Sequence, residues 1–222
     1  MPKIVDHCER RDAIAHAACR VVAQYGFEHA TVVRIARAAG FSSGMVAHYF
    51  ESKQDIILAA LRLILKRIEQ RLTQELHRQT DLLAVLCESL ALDEPRYGEC
   101  AFWTAFWGQV SADRRARRLN AWVHREYARV FERCIARHWS EWQKLRPVAK
   151  HKALRSLMTF INGLTASVVT NRADWPPATQ IEQLRLHLEL LHQWVQSAAA
   201  ESQPGSPRRM GLTRTPKLLR TG

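Results

Sequence analysis

The chain has 222 residues, enough to bury one small and one medium core. No window approaches the ~18 uninterrupted apolar residues of a membrane span, and Arg10, Arg11 and Asp12 interrupt any apolar run near the start, so neither a span nor a signal peptide is expected. The net charge of +12 suggests an acidic partner, yet residues 1–60 hold 7 Lys/Arg against 6 Asp/Glu, while 61–200 hold 21 against 14 and the tail from 201 holds 5 against 1.

In chain order, the first predicted helix covers residues 9–25. Ile14, Ala17, Ala18, Val21, Val22 and Tyr25 recur at three- and four-residue spacing, and Gly26 supplies a stop. The next stretch, TVVRIARAAGFSSGMVAHYF from Thr31 to Phe50, reads as two short helices about a tight turn at Gly40. Thr31 caps the first, and Ser42 or Ser43 the second. Ile35, Ala36, Val46 and Tyr49 point inward; Ser43, Gly44, Met45, Ala47 and His48 are left outside. Small and polar side chains on an exposed helix suit the DNA major groove, which displays donors and acceptors on its base edges. The pattern is that of a helix-turn-helix. Because this segment is nearly neutral, placement of charge must do the electrostatic work, with Arg10, Arg11, Arg34, Arg37 and Lys53 as candidates for phosphate contacts.

The stretch and its HYFESK ending, His48 to Lys53, resemble the DNA-binding domain of the TetR family of bacterial repressors. The resemblance covers roughly the first sixty residues. It implies an all-α fold: a three-helix DNA-binding domain over 1–53, a helical ligand-binding and dimerisation domain over 54–199, and a homodimer that addresses a palindromic operator. In that frame Thr31, Ser43, Gly44, Met45, His48, Tyr49 and Lys53 form the DNA interface.

A fourth helix is predicted from Ser52 towards Gln79, its buried stripe marked by Ile57, Leu58, Leu61, Ile64, Leu65, Ile68, Leu72 and Leu76. Lys53 lies at its first turn beside the reading helix, so this helix links DNA to the second core. From Asp81 onward only helical periods occur, over roughly 82–92, 96–110, 113–144, 148–172 and 177–199, with Pro147 and Pro177 at first-turn positions. Beyond Ala200 the composition, rich in Pro, Gly and Arg, predicts a disordered basic tail, inert or adding non-specific phosphate affinity.

GECAFWTAFWGQV, Gly98 to Val110, carries Phe102, Trp103, Phe106 and Trp107, followed by Trp122 on the next helix. Aromatics at helical spacing are explained by core packing, but indoles also hold quaternary ammonium ions by cation–π attraction. Both explanations stand for Trp103 and Trp107. These residues, the Ile161-Asn162-Gly163-Leu164 segment and the HYF ending are similar to the choline-responsive BetI branch of the family. The resemblance implies choline or another cation as effector, held among Phe102, Trp103, Phe106, Trp107 and Trp122, and control of choline or glycine-betaine genes. Glu99 and Glu126 are candidate counter-charges. A regulator answering an unrelated lipophilic cation or aromatic compound remains open, as does a small helical carrier or enzyme.

The last two helices carry long apolar faces that include Leu157, Ile161, Leu164, Leu184, Leu188, Leu191 and Val195. They can pack inward or against a symmetry mate; the resemblance implies the second. HExxH, Walker, GxGxxG and GxSxG motifs do not occur. Cys134/His138 and His16/Cys19 have ligand-like spacing without a third partner, so no metal and no cofactor are expected. Five cysteines, odd in number and without CxxC, suit a reducing cytoplasm. Arg114, Arg115, Arg117 and Arg118 open a helix against its dipole, and the sequence offers no account of them.

Overall fold

A computed structural model describes residues 3–202 apart from Ala112. The tail expected to be disordered lies outside these residues from 203 onward. Among the described residues the chain is helical: α1 (Lys3–His29), α2 (Val32–Ala39), α3 (Ser43–Tyr49), α4 (Lys53–His77), α5 (Leu82–Cys87), α6 (Glu94–Val110), α7 (Arg114–His138), α8 (Pro147–Thr170) and α9 (Pro177–Glu201). Short 3₁₀ turns cover Ser140–Lys144 and Arg172–Asp174.

Local chemistry sets most boundaries. Gly26 sits at φ 76°, ψ 169° and breaks α1 where a stop was expected, although a further turn follows to His29. Gly40 lies at φ 76°, ψ 24°, the left-handed region that only glycine enters freely, and Phe41 N–H closes the turn on Ala36 O at 2.9 Å. Side chains of Thr31, Ser42, Ser52, Asp81, Asp93 and Asp113 cap α2 to α7 in order. Pro147 and Pro177 occupy first-turn positions of α8 and α9.

Two predicted spans end early, each for a tertiary reason. The 82–92 segment stops being α-helical after Cys87. There the buried Gln180 side chain of α9 takes over the backbone of Ala91, accepting from its N–H at 3.2 Å and donating to its carbonyl at 3.1 Å. The 113–144 segment breaks at Trp139, whose extended backbone lets its ring stack on His192 of α9 at 4.5 Å.

One apolar core runs from Ile14 on α1 through Ile57, Ala60 and Leu61 on α4 to Phe102 and Phe106 on α6. α1 packs along α6 and α4 as well as α2, so the head is seated on the body without a linker. The faces of α8 and α9 turn out to be used inside the protomer. Leu157, Ile161, Leu164, Leu184, Leu188, Leu191 and Val195 are all buried. What α9 leaves outside is a different stripe, Leu186, Leu190 and Trp194, at 50%, 57% and 40% exposure. This corrects the expectation that Leu188 and Leu191 are available to a partner. The helix turns about 100° per residue, so a two-residue offset moves a side chain to the other side.

Candidate functional site

The reading head is built within twenty residues. Ile35, Ala36 and Val46 close the α2–α3 angle from inside. Thr31 Oγ1 accepts from Arg34 N–H at 3.2 Å and Ser42 Oγ from Met45 N–H at 3.1 Å, which fixes where each helix starts. Ser43, Gly44, Ala47 and His48 are then exposed, and Met45 and Tyr49 half-buried. The Tyr49 ring lies between His7 and His48, at 4.7 and 5.3 Å.

Four of the head's cations are engaged with main-chain carbonyls. Arg11 donates to Tyr49 O and lies 4.3 Å over the Phe50 ring. Arg34 donates to His29 O at 2.9 Å and covers Tyr25; Arg20 donates to Ala38 O at 2.9 Å. Lys53 Nζ donates to Phe27 O at 2.7 Å, and burial pulls its ammonium below the usual lysine range, with Glu28 opposing. Two of its three N–H donors remain. Arg37 is exposed on α2.

The second site is a cavity between α4, α6, α7 and α8. Trp103, Trp107, Tyr127 and Phe131 make its aromatic wall, with Trp103 6.5 Å from Trp107 and edge-on to Tyr127 at 6.0 Å. Its volume is about 50 Å³, room for a few water-sized groups. Burial pushes the Tyr127 phenol up and holds His124, also on the wall, below the ordinary imidazole range. Charged groups complete the lining. Buried Glu99 meets Arg71 of α4 in a fork, Nη2–Oε2 at 2.7 Å and Nη1–Oε1 at 3.3 Å.

Of the five aromatics expected to gather around a ligand, the structure brings only Trp103 and Trp107 to this cavity. Phe102 is wholly buried in the core and Phe106 lines a separate crevice with Phe27 and Lys53, between head and body. Trp122 lies in an outer groove beneath the Arg62 guanidinium at 5.8 Å, and Glu126 there pairs with Arg129 at 2.5 Å. The aromatics missed were Tyr127 and Phe131. With Val123 they recur every four residues, a stripe one position round the helix from Trp122.

Other sequence candidates have structural partners. The ring nitrogens of His138 lie 2.7 and 2.9 Å from the carbonyl oxygens of Cys134 and Thr80, tying α7 to the α4–α5 turn. Burial pushes the Cys19 thiol up to about 12 and Cys134 to about 11. Arg117 donates to Ser111 O at 2.7 Å, capping the end of α6, which accounts for one of the four clustered arginines. Among the described residues no helix is long and apolar enough to cross a membrane.

Comparison with known proteins agrees with this geometry. Residues 14–60 match the bacterial regulatory proteins of the tetR family, and residues 78–193 match the C-terminal domain of BetI-type transcriptional repressors. The regulator BetI 1 of Chromohalobacter salexigens is 27% identical over 218 residues, 93% of this chain and 98% of that protein. The regulator PksA of Bacillus subtilis is 33% identical over 110 residues, which span 48% of this chain and only 54% of that protein. A transcriptional regulator from Saccharomonospora viridis, solved in complex with choline, superposes with a TM-score of 0.67 over 82% of this chain and 96% of that one, at 24% identity. Such proteins are regulators rather than enzymes, which sets aside the enzyme reading. The chain belongs to the TetR family of transcriptional repressors and carries a BetI-type C-terminal domain.

Proposed function

We propose that the chain is a cytoplasmic homodimeric repressor that releases a palindromic operator when a small cation, choline foremost, enters the Trp103–Trp107–Tyr127 cavity. The observation that carries this is the cavity itself: two indoles and a phenol line one space, together with a carboxylate one helical turn before Trp103. Ring faces attract cations, by up to about 2 kcal/mol each when desolvated. The choline held by the Saccharomonospora regulator supports the choice of cation. Two such contacts suffice for the ~1–3 kcal/mol coupling usual in allostery.

The division of labour follows the chain. Residues 1–53 read DNA, and 54–199 hold ligand and partner. Thr31, Tyr49 and Lys53 meet phosphates, Ser43 and His48 base edges, with Gly44 and Met45 against the groove. Ile68 and Arg71 of α4 line the cavity, and Lys53 at its other end lies roughly 27 Å away at 1.5 Å per residue. Widening so small a cavity moves α4, and with it the reading head. The second protomer covers Leu186, Leu190 and Trp194.

The test is operator binding by Trp103→Ala and Trp107→Ala with and without choline. Release should need at least about tenfold more choline in each, a loss of about 1.4 kcal/mol per indole, while ligand-free affinity stays near that of the parent. Variants that respond as the parent does reduce the indoles to core. A parent indifferent to choline ends the choline reading and favours another lipophilic cation or an aromatic effector.

A further inference from the structure

The charged groups of the cavity belong to a network of ion pairs. Arg71 forks onto Glu99, and its Nε also donates to the Glu88 carbonyl at 3.2 Å and lies 3.6 Å from Glu88 Oε2. Arg96 holds Asp93 at 2.8 Å and shares the same Glu88 carboxylate at 3.3 Å. Of these groups Arg71, Arg96 and Glu99 line the cavity, so Glu99 is the one carboxylate among its lining residues, while Glu88 and Asp93 hold the guanidiniums from behind. Glu99 is the most deeply buried of the acids, its side chain 7% exposed. It is also the one on the aromatic wall's helix, one turn before Trp103.

Resting on the cation reading above, we propose that Glu99 is the anionic seat of the ligand and that Arg71 occupies it as an exchangeable cation. An arriving ammonium takes the Glu99 carboxylate, and Arg71 moves wholly onto Glu88, already within 3.6 Å. Every charge stays paired through the exchange: ligand with Glu99, Arg71 with Glu88, Arg96 with Asp93. A buried carboxylate is never left alone, which would oppose entry strongly. The same step vacates guanidinium-sized space beside a cavity of about 50 Å³, making room for a ligand larger than a few waters. Because Arg71 belongs to α4 and Glu99 to α6, the exchange removes a side-chain tie between the helix that positions Lys53 and the wall that holds the ligand. Ligand charge, not bulk alone, is then what releases DNA.

The full-length chain is titrated on a labelled fragment of the DNA flanking its own coding sequence, with choline and with its uncharged isostere 3,3-dimethylbutan-1-ol. The parent should release DNA with choline and not with the isostere. Glu99→Gln should weaken the choline response about 30-fold or more. Arg71→Met leaves Glu99 free for the ligand, so choline should bind at least about tenfold tighter. Operator affinity without choline should fall towards that of the choline-loaded parent, so the response shrinks. The double variant Arg71→Met/Glu99→Gln leaves no charge unpaired between the two positions; it should stay folded, with a thermal midpoint above that of Arg71→Met, and prefer choline over the isostere only by what the two indoles supply. If Arg71→Met keeps both the ligand-free affinity and the choline response of the parent, or Glu99→Gln keeps the choline response, the exchange is wrong while the choline-responsive repressor stands. A parent released equally by the isostere also refutes it. If the parent ignores both compounds, the cation reading itself fails, and the exchange with it.

Discussion

The reading head and the ligand cavity are built in opposite ways. The head is closed by contacts between near neighbours in sequence: Thr31 with Arg34, Ser42 with Met45, Gly40 with Ala36. The cavity draws on Ile68 at one extreme and Thr165 at the other, and on four helices whose rotations must agree before any two of its residues meet. A site of the first kind is fixed by short-range hydrogen bonding and fails locally. One of the second kind is fixed by the packing of the whole body and fails globally. The cations differ likewise. Arg11, Arg20, Arg34 and Lys53 each donate to a main-chain carbonyl, whereas Arg71 also forks onto a buried side-chain carboxylate.

The largest test of this contrast lies in the body. Leu188→Asp places a charge where exposure is 7%, and should cost several kcal/mol and unfold head and body together in thermal denaturation. Two residues on, Leu190→Asp replaces a side chain 57% exposed, so the fold should survive; sedimentation should then show monomers with weakened operator binding. If Leu190→Asp remains dimeric, the outer stripe of α9 is not the interface.

A smaller effect is expected in the head. Thr31→Ala removes one cap bond, which costs about 1 kcal/mol, and hydrogen exchange should rise in α2 and α3 while α6 to α9 keep their protection. Uniformly raised exchange would mean that the head is not a locally closed unit.

Lys53 stands where the two regions meet. Lys53→Ala should lower the salt dependence of operator binding by about one unit for all sequences. Loss of its bond to Phe27 O should add about 1 kcal/mol of destabilisation at the head–body joint. A stability loss with unchanged salt slope would assign Lys53 to the joint alone.

The smallest effect concerns pH. Burial lowers the imidazole of His124 from its ordinary value of 6.5. Below pH 6.5 the unfolded chain therefore binds a proton that the folded one does not. His124 thus adds stability above that value and withdraws it as pH falls towards the lowered one. His187 on α9 is shifted the same way by burial and contributes with the same sign. Replacing His124 with Gln should flatten the fall in melting temperature as pH drops below 6.5. An unaltered slope would place the acid sensitivity elsewhere.

The sequence alone was enough for the start of α2 at Thr31, the Gly40 turn and the all-helical body. Each depends on residues within about four positions of one another, and one helical turn is as far as such bonding reaches. It was also enough to single out Trp103 and Trp107, though not to separate pocket from core. Tertiary structure decided the rest. Trp122 and Tyr127 are five residues apart on α7, yet one lies under Arg62 at the surface and the other faces the cavity. Leu188 and Leu190 sit on opposite sides of α9. Arg11, Arg34 and Lys53, which look in sequence like phosphate contacts, each hold a main-chain carbonyl, and Arg117 closes the end of α6. A periodic pattern says that a helix has an inside; only the neighbours it packs against say which residues are on it.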